Sequence, residues 1–203
     1  MIPFPASAVR VLVLILTVAT TGSADEPPAS TPLEPIFNGQ DLDGWQPVKG
    51  PFWRVEDGVL IGENDPALTG SMLRTEQEYG DVVVEAEVRF HGEIDSGIML
   101  RQPELQVQIG ISRSLKRDMT CSFYTGRYPE QARATRAEKI FVPDEWNTIR
   151  VEARGDTFTV WLNGEQVSQY TDPKYSQAAP IGLQIHPGLS MTVEFRNLRA
   201  RAL

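Results

Sequence analysis

The sequence predicts an all-β protein, two antiparallel sheets packed face to face as a sandwich. Three observations predict it. Hydrophobicity alternates with a period of two in segment after segment, turn dipeptides stand between those segments at hairpin spacing, and no long helical pattern interrupts them. A chain of 203 residues suits one such domain. About ten to twelve strands are expected at this spacing.

Each element has its own reason. Trp53-Arg54-Val55 and Val59-Leu60-Ile61 flank Asp57-Gly58, and Val160-Trp161-Leu162 and Gln166-Val167 flank Asn163-Gly164. Both dipeptides tolerate the positive φ that two-residue hairpin loops need. Gly155-Asp156 closes a third hairpin. From Asp81 to Phe90, Val82, Val84, Ala86, Val88 and Phe90 share one face, with Val83, Glu85, Glu87 and Arg89 on the other. Ile149, Val151 and Ala153 alternate with Arg150, Glu152 and Arg154. Phe158, Val160 and Leu162 repeat the pattern, as do Met191, Val193 and Phe195. Met119 to Tyr124 reads as a further strand that buries Cys121, the only cysteine, so no intramolecular disulfide forms and the core alone supplies stability.

The ends read differently. Val11 to Ala19 is apolar but too short to span a bilayer, and Gly22-Ser23-Ala24 is a small-residue cleavage pattern. Residues 1–24 are therefore expected to be a secretory signal peptide, giving an exported protein, periplasmic or extracellular, with no membrane anchor after its removal. Residues 25–34, with Pro27, Pro28 and Pro32, form an extended linker, and the sandwich is expected from residue 35 to 203.

A net charge of −8 argues against a nucleic-acid partner. One stretch runs against that balance. Arg113 to Lys139 holds seven basic and three acidic residues. It reads as solvated loops, or as a basic rim beside a binding site. The chain has no P-loop, no dinucleotide fingerprint and no zinc-type Cys/His spacing. No metal or other cofactor is implied, although a calcium site of carboxylates and carbonyls, needing no fixed motif, stays open.

The candidate site lies where alternation sets polar groups on one sheet face. In a strand, Leu105, Val107 and Ile109 enter the core while Glu104, Gln106 and Gln108 face away. Ile181, Leu183 and Ile185 likewise oppose Gln184 and His186. Arg101 precedes the first of these runs. A face carrying Arg, Glu, three Gln and His packs poorly and suits a polyhydroxylated ligand. The expected partner is a small carbohydrate or glycoside.

Seven segments in order carry a resemblance. They are Phe37 to Trp45, Trp53 to Leu60, Ser96-Gly97-Ile98 with Arg101, Glu145-Trp146-Asn147, Leu162-Asn163-Gly164, Gly182 to His186, and Phe195 to Leu198. Together they resemble the 3-keto-disaccharide hydrolase family from about Pro35 to the C-terminus. The resemblance implies a concanavalin-A-like jelly-roll sandwich, as in lectins and glucanases, and action on glycosides already oxidised at carbon 3. Two departures stand out. Gly110 and Ile111 follow the Glu104-x-Gln106 strand where the family often has an acid, and Asp95 replaces an Asn before Ser-Gly. Either change points to an altered substrate or to lost catalysis.

A conventional glycosidase needs two carboxyl groups about 5 to 10 Å apart. The strand from Glu104 offers one, with Asp95 as a possible second. A 3-keto sugar relaxes this demand, because the ketone acidifies the hydrogen on carbon 2 and a single base can start elimination of the aglycone. On this reading His186 or Glu104 acts as base or acid, and Arg101 stabilises the enolate or positions the ketone. Gln106, Gln108 and Gln184 hold sugar hydroxyls, and Tyr124 and Trp161 stack on the ligand or donate a proton. A carbohydrate-binding domain without catalysis is the competing expectation. An interaction domain with the polar face as partner surface is a third.

Overall fold

Among the described residues fifteen strands form where the alternating segments run. They are β1 (Glu34–Pro35), β2 (Trp45–Pro47), β3 (Trp53–Glu56), β4 (Val59–Glu63), β5 (Ser71–Tyr79), β6 (Val82–Phe90), β7 (Asp95–Leu100), β8 (Leu105–Ser112), β9 (Arg117–Asp118), β10 (Phe123–Tyr124), β11 (Asn147–Arg154), β12 (Thr157–Leu162), β13 (Glu165–Thr171), β14 (Ala179–Ile185) and β15 (Thr192–Ala202). Eleven of them have four or more residues, within the range the turn spacing predicts. The structure, a computed structural model, describes Met1 and residues 32–203. The apolar run and cleavage pattern of residues 11–24 and linker residues 25–31 lie outside the described residues. Among the described residues no helix is long and apolar enough to cross a membrane.

The strands build a jelly-roll sandwich of two antiparallel sheets. Sheet I runs β13-β12-β11-β6-β15-β4-β3, with β1 added beside β15. Sheet II runs β10-β8-β7-β14-β5-β2, with β9 on β8. The hairpin loops are those expected: Asp57 and Gly58 have φ of 50° and 80°, and Asn163 and Gly164 have 50° and 87°.

The core is the inward row of each strand. Val84, Ala86, Val88, Ile149, Val151, Phe158, Val160, Leu162 and Phe195 from sheet I meet Leu73, Ile98, Leu105, Val107, Ile109, Leu183 and Ile185 from sheet II. Each large apolar side chain so buried contributes about 1.5–3 kcal/mol. Phe123 crosses between the layers, with ring centroids 6.2 Å from Phe158 and 5.9 Å from Tyr170.

Residues 113–141 leave the regular pattern. Only Phe123 and Tyr124 of the expected strand pair with β8 (at Val107 and Gln106), and Cys121 has φ of 65°. Before them the backbone follows β8 irregularly, with Cys121 N–H donating to Gln108 O at 2.8 Å and Gln108 N–H to Ser122 O at 2.9 Å. The segment then crosses to sheet I, where Ser168 Oγ donates to Cys121 O at 2.6 Å. Cys121 is free and fully buried, as a small core residue. A short 3-10 turn (Glu130–Ala132) and one turn of helix, α1 (Ala137–Ile140), complete the crossing. From this segment the Tyr128 hydroxyl reaches Gln108 on the outer side of β8, and β7 and β8 are buried along nearly their whole length.

Candidate functional site

On the outer face of sheet II the strand registers align the polar residues in rows. Gln108 pairs with Gly97, and Gly97 with Gln184. One step along, Asp95 pairs with Gly110, and His186 N–H donates to Asp95 O at 3.2 Å, which keeps His186 beside β7 just past the end of β14. Asp95, Gln108, Gln184 and His186, with Gln106, Tyr124, Tyr128, Ser112 and Arg113, line one cleft of about 180 Å3.

A chain of hydrogen bonds sets the amide orientations. The Tyr128 hydroxyl donates to Gln108 Oε1 at 2.8 Å, and Gln108 Nε2 donates to Asp95 Oδ1 at 2.8 Å. Asp95 Oδ2 accepts from Arg113 N–H at 3.3 Å. Gln106 Nε2 faces three acceptors: Gln108 Oε1 at 2.8 Å, Gln184 Oε1 at 3.2 Å and Ser96 O at 3.2 Å. Burial pushes the Tyr128 phenol well above its ordinary value, so it stays protonated and remains a donor.

Subtracting these bonds leaves the groups a ligand can use. Gln106 Oε1 and Gln184 Nε2 have no protein partner, and neither is a buried orphan, so both open to the cleft. His186 Nδ1 lies 2.7 Å from Pro187 O. A carbonyl only accepts, so in the neutral ring Nδ1 carries the proton and Nε2 keeps its lone pair. The Arg113 guanidinium is anchored by Nη1 donating to Gly188 O at 2.7 Å, with its other N–H groups free. An acceptor, two donors, a base and two tyrosines in one hollow match a polyhydroxylated ring. Among the described residues Asp95 is the only carboxylate lining it.

Six of the nine expected site residues meet here: Asp95, Gln106, Gln108, Tyr124, Gln184 and His186. Three do not. Arg101 is buried between the sheets. Its Nη2 donates to Asp81 Oδ1 at 2.7 Å and to Gly155 O at 3.3 Å, and its guanidinium lies 5.8 Å from the Phe158 ring. Its φ of 65° ends β7 at Leu100 and turns the side chain off the face that strict alternation assigns to it. Glu104 stands in the β7–β8 turn, exposed and paired with Arg74 at 3.0 Å. Trp161 lies on sheet I, beside Arg150 and Glu85. The depression around it is larger, about 690 Å3, but it is an open groove whose Glu85 and Arg150 pair with each other at 3.6 Å. Convergent polar groups favour the smaller cleft.

Two cleft-lining residues stand outside the sequence expectation. Arg113, the first of the basic run, puts a cation in the cleft where Arg101 does not, and the expectation of a basic rim is the signal that could have found it. Arg133 and Arg136 are spent on Tyr128 O (3.1 Å) and Glu165 (3.2 Å). Tyr128 carried no signal, because its place depends on a loop folding back over β8. Among the described residues no cluster of His, Cys, Asp or Glu could hold a metal ion.

Two antiparallel sheets with a polar, amide-floored cleft on one outer face define a jelly roll of the glucanase and galectin type. Residues 32–201 match the 3-keto-alpha-glucoside-1,2-lyase-like domain, and the chain belongs to that family. The family makes it a glycoside-acting, hydrolase-like domain. No curated protein matches it in sequence. A candidate glycosyl hydrolase from Parabacteroides distasonis ATCC 8503 is 27% identical, with 83% of this chain and 82% of that one covered at a TM-score of 0.60. A lichenase from a mouse hindgut metagenome is 15% identical over 78% and 92% (TM-score 0.55). A carbohydrate-binding module from Bacillus subtilis is 16% identical over 78% and 96% (TM-score 0.52). The last two share the fold.

Proposed function

We propose that this protein cleaves glycosides whose sugar carries a ketone at carbon 3, and that it does so in the Gln106–Gln108–Gln184 cleft after export from the cytoplasm. The observation that carries the chemistry is a base without a second carboxylate. Among the described residues Asp95 is the only acid lining the cleft, so displacement at carbon 1 by a carboxylate pair lacks one partner there. His186, with Nδ1 spent on Pro187 O and Nε2 free, suits removal of a proton from carbon 2.

The steps balance as follows. His186 Nε2 takes the carbon-2 proton, and the C–H electron pair moves toward the ketone, leaving an enolate oxygen on carbon 3. The Arg113 guanidinium stabilises that oxygen. The enolate pair returns to form the C1=C2 double bond as the C1–O bond breaks, and the imidazolium returns its proton to the aglycone oxygen. Release of the unsaturated ketone is a lyase outcome, and addition of water across C1=C2 makes the net reaction a hydrolysis. Gln106 Oε1 and Gln184 Nε2 hold ring hydroxyls.

The test is cleavage of a 3-keto-glucoside beside the unoxidised glucoside by wild type, His186→Ala and Arg113→Ala. Turnover of the keto form alone, lost in folded His186→Ala, is expected. A second reading, carbohydrate binding without catalysis, draws on the neutral amide floor. Binding of unmodified sugar without turnover of the keto form would select it.

A further inference from the structure

At Gln184 the polar cleft opens onto a second depression of about 280 Å3 on the same outer face. The row Gln108–Gly97–Gln184 continues to Met72 on β5, the register partner of Gln184, and then to Val48, whose N–H donates to Met72 O at 2.8 Å. Chemistry changes at Gln184. Beyond it the apolar side chains are those of Val48, Met72 and Pro187, set around Gly70 and Ser71, with Lys49 as the one charged residue, while Ile185 turns its own side chain into the core. Val48 is 57% exposed, more than any other large hydrophobic residue in residues 32–203. Its position is built rather than loose. Ser71 Oγ donates to Lys49 O at 2.6 Å and accepts from the buried Trp53 Nε1 at 3.1 Å, which pins the backbone next to Val48. Gly70 lets Pro187 close the far wall, since a Cβ there would stand 2.6 Å from Pro187 Cδ.

We propose that this apolar cleft receives the aglycone, and that the favoured substrates are 3-keto-glycosides of apolar, aryl-sized aglycones rather than disaccharides. The proposal rests on the 3-keto-glycoside reading of the polar cleft. With the sugar over Gln106 and Gln108, a bond passing Gln184 leads from polar to apolar surface. Gln184 Nε2 has two N–H groups, and at that junction one holds a ring hydroxyl while the other donates to the glycosidic oxygen. A second sugar would set hydroxyls against Val48, Met72 and Pro187, whose side chains cannot bond them. An aromatic ring has no such groups to strand and covers the exposed valine.

Two measurements test it. Benzyl and methyl 3-keto-glucosides have leaving alcohols of similar acidity, so their kcat/KM ratio reads aglycone contacts. Wild type is expected to favour benzyl by about tenfold or more, and Val48→Asp to bring the ratio toward one. Equal rates, or a preference that Val48→Asp leaves intact, would overturn the aglycone cleft while turnover itself upholds the function. The second measurement needs no turnover. In protein labelled at its methionine methyls, the Met72 signal, assigned by its loss in Met72→Leu, is expected to shift with benzyl glucoside and not with methyl glucoside. That shift without cleavage of any keto-glycoside would retire the elimination chemistry and keep the cleft. A Met72 signal that ignores the benzyl group of a glucoside that does bind the protein refutes the cleft.

Discussion

Gln106 Nε2 lies 3.2 Å from Gln184 Oε1, although the two residues are 78 positions apart and sit on strands that are not neighbours. Strand β7 runs between them. The Gln106 side chain crosses it over Gly97, where a Cβ would stand 2.7 Å from both Cγ and Nε2 of Gln106 and 2.8 Å from Val107 O. A missing side chain therefore lets three glutamines join in one floor.

Gly97→Ala is expected to displace the Gln106 amide and break its bonds to Gln108 and Gln184. Because Val107 O is backbone and cannot swing away, the variant should lose about 1–3 kcal/mol of stability. Urea unfolding measures that loss, and carbohydrate binding measures the loss of the floor. An Ala variant as stable and as competent as wild type would show that the crossing is dispensable.

Arg101 is buried, away from the cleft. Its guanidinium joins the end of β7 to Asp81 and to the Gly155 hairpin of sheet I. Arg101→Met should cost about 2–3 kcal/mol, in line with lost hydrogen bonds to a charged group, and leave the substrate-binding constant of the surviving folded protein near wild type. A selective loss of kcat at unchanged Tm would return Arg101 to the site.

The same pair sets an acid limb. The Arg101 hydrogen bond, then the Gly155 N–H, hold the Asp81 carboxyl below its ordinary 3.8. A depressed folded-state value stabilises fully above the ordinary one, and that stabilisation drains as pH falls through the lower folded value. Asp81 is 39% exposed, so screening limits the contribution to about 1 kcal/mol or less. Stability measured from about pH 5 downward should fall less steeply in Arg101→Met than in wild type. Parallel slopes would remove the pair as the cause.

Glu104→Gln and Trp161→Ala are the contrasting substitutions. Glu104 pairs only with Arg74, at the surface, so its loss should cost under about 1 kcal/mol. Trp161 stands on sheet I, away from the amide cleft. Keto-glucoside turnover should survive both, and a hundredfold fall in either would move the reacting centre.

Burial pushes the Cys121 thiol far up and shuts it from solvent. A thiol reagent should modify it only as fast as the protein unfolds, and fast labelling of native protein would place the thiol elsewhere.

Alternation by itself determined the sandwich. Leu105, Val107, Ile109, Ile181, Leu183 and Ile185 fill the core because a period of two sends them inward, and Gln106, Gln108, Gln184 and His186 were legible as one polar face for the same reason. Asp57-Gly58 and Asn163-Gly164 marked their turns because few other dipeptides accept positive φ at both positions. Tertiary structure decided what alternation cannot carry. A single left-handed residue at Arg101 ended the period and moved a guanidinium into the core, and the strand order put Trp161 on the other sheet. Folding of residues 113–141 over β8 brought Arg113 and Tyr128 to the cleft. Local spacing states which way a side chain leaves its own strand. Which strands become neighbours, and which loop covers them, follows from the chain as a whole minimising its exposed apolar surface and unpaired backbone.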